Sequence, residues 1–325
     1  MRRKITMAVI GVGLALSQTC FGLTKAPEMF SHSCVQDSEA AVEQRVASIK
    51  ERLKSVDPKL LSLPLDETLK ILDEMAKCNG LGRWLLMHQG LNGFWTAETI
   101  LRFGGEKASD IGKWIASDAP IFRATRERFG IFQSLLQGYL DAGARTFVSV
   151  PCGTMEDLLM LDATGKTDVL FFGVDLDPVA VSLINKAEVF HKETSHCSKE
   201  FYQGDAFSLS YYIKNADVIV SNGLNFYIKD DTEVIRLYES FAAGLKPGGI
   251  LIVSHLSPPA LAKPYNEAAL KKQLAIVKDI CEMRWQIFRA EELVKEQLGM
   301  AGFEVLQVIY DKQKMFPTYV CKRLR

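Results

Sequence analysis

Apolar residues in the first third of the chain recur at helical spacing. Val42, Val46, Ile49 and Leu53 fall on one face of a 3.6-residue repeat. Asp57-Pro58 marks the end of that helix, because proline brings no amide hydrogen to continue it. A second helix is predicted from near Asp66 to the stop pair Asn79-Gly80. The run Gly90-Leu91-Asn92-Gly93-Phe94-Trp95-Thr96 breaks the rhythm before a further helix through Phe103, closed by Gly104-Gly105. A longer helix follows Ser117, placed to cap it, with Pro120 in the first turn. Its stripe is Thr125, Phe129, Phe132, Leu136 and Leu140, and Gly143 closes it.

After Gly143 the period changes. Thr146–Val150, Asp168–Val174, Phe201–Gln203, Asp217–Ser221 and Ile250–Ser254 are short β-rich runs separated by helical stretches. Val169-Leu170-Phe171-Phe172 and Val218-Ile219-Val220 are continuous apolar runs, as expected of strands covered by helices on both faces. Such alternation predicts a parallel, doubly wound sheet. Phe303–Tyr310 and Met315–Lys322 are joined only by Asp311–Lys314, too short for a parallel crossover, so they should form an antiparallel hairpin. The fold expected is therefore α/β, mostly parallel with an antiparallel C-terminal hairpin and an N-terminal helical cap. Its expected divisions are a signal-like segment 1–22, a helical cap region 23–117 and an α/β domain 118–325.

Composition narrows the function. The 325 residues are 48% hydrophobic and 24% charged, enough apolar material for a large core and too little charge for a disordered chain. Lys+Arg and Asp+Glu both total 39, and neither half is the strongly basic body that phosphate backbones attract. Seven cysteines in this length are no disulfide scaffold. Beyond the N-terminus no apolar run approaches the ~18 residues of a membrane span.

The N-terminus itself reads as a secretory signal. A basic Met1-Arg2-Arg3-Lys4 is followed by the uncharged stretch Ile5 to Ser17, with small residues at Cys20 and Gly22. Ser17 stands three residues before Cys20, where a lipoprotein anchor usually has Leu.

In open α/β sheets ligands bind beyond the carboxyl ends of the strands, so those tips carry the candidate chemistry. Tip one reads Ser149-Val150-Pro151-Cys152-Gly153-Thr154-Met155, where Gly153 permits close backbone approach to a ligand. It lacks the G-x-G-x-x-G that admits a pyrophosphate, which argues against a dinucleotide oxidoreductase. Tip two ends in Asp175-Leu176-Asp177-Pro178. Asp177 before proline is placed to cap a helix, whereas Asp175 sits where an acid takes both ribose hydroxyls. At tip three, Asp205 can accept from an exocyclic amine and Phe207 can flank a ring. Tip four is Ser221-Asn222-Gly223-Leu224-Asn225-Phe226-Tyr227, and strand five follows Lys246-Pro247-Gly248-Gly249.

Taken together, these five tips and the final hairpin resemble the class I S-adenosylmethionine-dependent methyltransferases over residues 118–325. The phrases Leu91–Thr96 and Arg123–Phe129 resemble a bacterial subgroup of them. The resemblance implies a Rossmann-like fold and S-adenosylmethionine as cofactor. It places Ser149, Pro151, Cys152 and Gly153 in the glycine-loop position, Asp175 with Leu176 at the ribose, and Asp205 with Ala206 at the adenine. The sequence departs from the family pattern at Ser149, usually an acid, and at Pro151 and Met155, usually glycines.

Methyl transfer is an in-line displacement at an activated carbon, so holding the nucleophile and excluding water do much of the work. Candidates at tips four and five are Asn222, Asn225 and Tyr227, which can orient an acceptor or face a sulfonium, and His255, which can act as a base. A core or capped imidazole is the alternative for His255. Neutral charge and the aromatic residues Phe94, Trp95, Trp114 and Trp285 suit a small-molecule or peptide acceptor better than nucleic acid. A methyltransferase-like binding protein without turnover is the rival. No metal is expected, because His191, His196 and Cys197 match no common zinc spacing. The signal-like segment points to export, whereas cofactor supply points to cytosol, of the producing cell or of a recipient cell.

Overall fold

Several helices begin where a side chain satisfies one of their free amides. In this computed structural model, which describes residues 38–97, 109–180, 184, 193–264, 266–283 and 287–324, the Ser38 hydroxyl accepts from the Ala41 amide to open α1 (Glu39–Ser55). Asp57 closes the next turn by accepting from the Lys59 amide at 3.0 Å. Four helices follow: α2 (Leu65–Lys77), α3 (Leu81–His88), α4 (Gly93–Ala97) and α5 (Asp110–Ser117). The signal-like segment, Phe103 to Gly105, His191 and Trp285 lie outside the described residues.

The long helix α6 is Pro120–Asp141, with Ala119 at its N-cap position. Ser117 is not its cap, contrary to expectation: that hydroxyl turns back to the Lys113 carbonyl and to Asp118, ending α5. The N-terminal half of α6 buries Ile121, Phe122 and Ala124 in the helical core, and its C-terminal half buries Phe132, Leu136 and Leu140 against the sheet.

Seven strands form one mixed sheet: β1 (Thr146–Ser149), β2 (Leu170–Asp175), β3 (Ser198–Gln203), β4 (Ala216–Ser221), β5 (Leu245–Ser254), β6 (Phe303–Ile309) and β7 (Thr318–Arg323). Their order is β3-β2-β1-β4-β5-β7-β6, with β7 antiparallel to both neighbours. This is the Rossmann-like arrangement expected, and the strand order reverses between β1 and β4, where such sheets open a crevice. Ser149 is level with Gly173 on β2 and with Val220 on β4, so the central tips end on one rim.

Two boundaries differ from the sequence reading. The Lys246–Gly249 turn lies inside β5, where a register shift between Ala216 and Val218 of β4 absorbs it. β7 starts at Thr318 rather than Met315. Asp311 accepts from the amides of Gln313 and Phe316, which coils the chain and sends Met315 and Phe316 into the helical core. The insertion between β5 and β6 forms a helix (Glu267–Leu274) continued by a π-helical turn (Ala275–Ile280). Its Ile276, Val277, Ile280 and Cys281 pack with Leu53, Leu72 and Met75 of α1 and α2, so the insertion completes the helical core. Helices α8 (Asp231–Gly244) and α9 (Glu291–Met300) cover the other face of the sheet.

Candidate active site

The rim of β1, β2, β3 and β4 carries a concentration of acceptor atoms. After β1 the chain turns sharply: the Cys152 amide donates to the Val174 carbonyl and the Met155 amide to the Cys152 carbonyl. Gly153 (φ +52°) and Met155 (φ +57°) both take left-handed conformations, so Met155 follows a backbone path that usually suits glycine. Gly173 on β2 makes room for this bend, since a Cβ there would lie 3.0 Å from the sulfurs of Cys152 and Met155.

Asp175 ends β2 half-buried, with one oxygen accepting from the Gly153 amide at 2.8 Å and the other from the Asp177 amide at 2.9 Å. Burial raises its pKa to about 6 against the opposing pull of those two amides. Each oxygen keeps a second lone pair for a hydroxyl donor. Leu176 beside it is half-buried, and Asp177 caps the following turn by accepting from the Val179 amide, as its position before Pro178 predicts. Asp205 accepts from the Phe207 amide at 3.0 Å, and Ala206 is buried beneath it.

Ser149 does not face this rim as an acceptor. Its hydroxyl donates to Asp157 at 2.7 Å, and Asp157 is itself buried next to Glu156 in the one-turn helix α7 (Glu156–Leu159). Burial pushes the Asp157 pKa up to about 7, while the Ser149 hydroxyl and backbone amides pull it down. The Gln133 side chain of α6 donates to the Asp157 carbonyl. Sequence reasoning missed Asp157, because the acid expected on β1 arrives eight residues later, from the opposite side of the bend.

Above Gly153 lies the start of α4. A Cβ on Gly93 would fall 2.5 Å from the Gly153 Cα, so the two backbones touch. Helix α4 is held in turn by Asn92, whose side chain accepts from the Trp95 amide.

Tip four divides its residues. The Asn222 side-chain oxygen is buried without a donor. Asn225 points away into the α8 layer, donating to the Tyr238 hydroxyl at 2.9 Å. Phe226 and Tyr227 pack against the helical core, and burial drives the Tyr227 phenol well above its ordinary range. Arg289, also missed in the sequence, pins this tip: its guanidinium donates to the carbonyls of Asn225 and Ile228 and pairs with Asp231 at 2.8 Å.

Tip five separates its neighbours. Ser254 faces α6, whereas the His255 ring lies tilted against Tyr319, centroids 5.3 Å apart, within the α8 and α9 layer. At 2% exposure neither imidazole nitrogen has a well-formed hydrogen bond, and burial lowers its pKa to about 4. Cys152 and Cys321 are buried thiols raised by burial, the small hydrophobes expected of their positions. His196 bonds the Lys166 carbonyl, away from the rim.

Residues 148–253 match the family model for a methyltransferase domain. With the seven-strand order above, the match supports the class I S-adenosylmethionine-dependent methyltransferase family. A solved structure described as a possible exported protein from Bordetella parapertussis is similar over most of the chain. It shares 28% identity at a TM-score of 0.79, covering 88% of this chain and 96% of that one. Magnesium protoporphyrin IX methyltransferase from Synechocystis, with bound S-adenosylhomocysteine, shares the fold at 15% identity and a TM-score of 0.50, covering 71% and 94%. Among curated proteins none matches.

The residues at the rim suit the family's cofactor, S-adenosylmethionine. That molecule brings an ammonium, a sulfonium, ribose hydroxyls and an exocyclic amine. The rim offers the matching set of acceptors: the carboxylates of Asp175 and Asp205 and the undonated amide oxygen of Asn222.

Proposed function

We propose that this chain is an active methyltransferase that transfers the methyl group of S-adenosylmethionine to a small-molecule acceptor. The observation that carries the reading is the placement of Asp175. Two backbone amides fix its carboxylate at the strand tip, yet it stays partly exposed with lone pairs to spare. Asp175 and Leu176 would hold the ribose, Asp205 and Ala206 the adenine, and the bend Pro151-Cys152-Gly153 the remainder of the cofactor. Bound there, the cofactor supplies a methyl carbon already activated by its sulfonium.

Two of the departures that would favour a binding-only protein, Ser149 and Met155, are offset. Asp157 supplies the acid that Ser149 lacks, and Met155 adopts the backbone conformation of the glycine it replaces. Asn222 and Tyr227 flank the place where an acceptor would meet the methyl group. His255 is neutral at physiological pH, but it lies on the far side of β5 from Ser254, and we assign it to packing rather than to proton removal. A small acceptor suits the neutral overall charge and an aromatic helical core that includes Trp95, Trp114 and Tyr227. The signal-like N-terminus and the similarity to a possible exported protein support export of the chain. No helix among the described residues is long and apolar enough to cross a membrane.

Calorimetry of the intact chain with S-adenosylhomocysteine tests the reading. Saturable binding that Asp175→Ala weakens by roughly 100-fold is expected, as two hydrogen bonds to a charged group are lost. Folded wild-type protein that shows no binding overturns it.

A further inference from the structure

Arg128 stands midway along α6, where the helix passes from the helical core to the sheet. It is 6% exposed. Buried guanidinium groups normally lie against a carboxylate, but among the described residues no acid comes within ion-pair distance of this one, and its Nε is buried without an acceptor. Its hydrogen bonding among the described residues amounts to one long contact, 3.4 Å from Nη1 to the Ser254 hydroxyl. The guanidinium carbon lies 4.3 Å above the Phe316 ring and 5.4 Å from the Phe226 centroid. Those rings favour a cation but neutralise no charge. The acid that acts on it from further off, Asp311, is already occupied by the amides of Gln313 and Phe316. Burial lowers the Arg128 pKa to about 9, which still leaves it charged at neutral pH.

The position adds meaning to the missing partner. Ser254 ends β5, and Phe226 and Tyr227 belong to tip four, so the guanidinium sits between tip five and the tip assigned above to the acceptor. Gln133, five residues further along the same helix, holds the Asp157 carbonyl beneath the cofactor bend. That spacing is about 7.5 Å of helix rise, the scale of a small molecule lying between anchor and methyl donor.

We propose that Arg128 is the anchor for a carboxylate group on the methyl acceptor, so that the substrate is an apolar or aromatic acid. The planar fork of a guanidinium matches a carboxylate through two parallel hydrogen bonds. A single buried cation balances a monoanion, and the stacked Phe226 and Phe316 rings suit the acid's apolar body. The proposal rests on the methyltransferase reading for the word acceptor, but the anion site itself does not.

The test uses the intact chain, with and without saturating S-adenosylhomocysteine, titrated with benzoate, its neutral isostere benzamide, and inorganic phosphate. Benzoate should bind saturably and at least tenfold more tightly than benzamide or phosphate. Arg128→Met and Arg128→Lys should each weaken benzoate at least tenfold while the cofactor product binds as before. Arg128→Met should also melt no lower than wild type without ligand, since it replaces an unbalanced buried charge with an apolar chain of similar length. Equal binding of benzamide, tighter binding of phosphate, benzoate binding that survives Arg128→Met, or a melting temperature that falls in that variant each overturns the proposal. Failure of S-adenosylhomocysteine to bind, with benzoate binding intact and Arg128-dependent, sinks the transferase reading and leaves the anion site standing.

Discussion

The Ser149 hydroxyl and the Asp157 carboxylate meet 2.7 Å apart beneath the bend that follows β1. A strand-end acid has in effect been split into a hydroxyl on the strand and a carboxyl on the next helix. Both groups are buried, and the carboxyl is held at a pKa of about 7 chiefly by desolvation.

That elevation has a signed consequence for stability. A carboxyl whose pKa is higher in the folded than in the unfolded chain favours folding while it is protonated, and the benefit is lost as pH rises through the folded value. Asp157 at about 7 and Asp175 at about 6 both act this way. The cofactor-free protein should therefore melt at a higher temperature at pH 6 than at pH 8. Asp157→Asn should flatten this slope and exceed wild type in stability at pH 8. Thermal melts across that range check it, and a wild-type melting temperature that climbs from pH 6 to 8 contradicts it.

Cofactor binding should run the other way with pH. Ribose hydroxyls donate to an ionised Asp175, so acid competes with the ligand. Affinity for S-adenosylhomocysteine should fall as pH drops below about 6, by at most about tenfold per pH unit for a single proton. Isothermal titration from pH 5 to 8 measures this, and a flat profile would mean that Asp175 is not in contact with the ligand.

The backbone contact of Gly93 with Gly153 predicts an asymmetric pair of alanine variants. In Gly93→Ala the new methyl meets Gly153 Cα at 2.5 Å and the Thr154 nitrogen at 2.7 Å, backbone atoms that cannot yield locally. Loss of roughly 1–3 kcal/mol is expected, as for overpacking, along with weaker cofactor binding. Gly130→Ala, on the open face of α6 with nothing within 4 Å, should instead stabilise by up to about 1 kcal/mol through helix propensity. Chemical denaturation of both variants decides.

Arg289 should be a stability residue whose loss is felt in activity. Arg289→Gln removes the charged donors that hold the Asn225 and Ile228 carbonyls and the pairing with Asp231. Half of Asp231 is solvent-exposed, so the ion pair itself adds little, and the two buried carbonyls dominate. A cost of about 2–4 kcal/mol is expected. Because tip four is what loosens, methyl transfer should decline even at temperatures where the variant remains folded.

The mostly parallel sheet and its antiparallel end were legible because strand runs, turn residues and the short Asp311–Lys314 link are local signals. Asp175 was legible for the same reason, as an acid at the end of an apolar run. Asp157 and Arg128 were not. Each lies in a helical segment where a charged residue ordinarily faces water, and only the packing of α6 and α7 turns it inward. Arg128 did leave a trace, since it falls on the apolar stripe between Thr125 and Phe132. The direction of the residues after β4 and β5 was beyond reach as well. Asn225 and His255 turn toward α8 and α9 because Tyr238, Tyr319 and Arg289, distant in sequence, line that layer.

Helix α6 also bears on how the protein can be cut. Its first turns are rooted among α1, α2 and α5, and its last turns among the strands, and the helix runs unbroken through the crossing near Arg128. A truncated gene that begins where the methyltransferase match begins would omit the rod that braces the bend after β1. One that begins at Pro120 would strip the hydrophobic covering from Ile121 and Phe122. The smallest fragment worth expressing therefore reaches back to the start of α1.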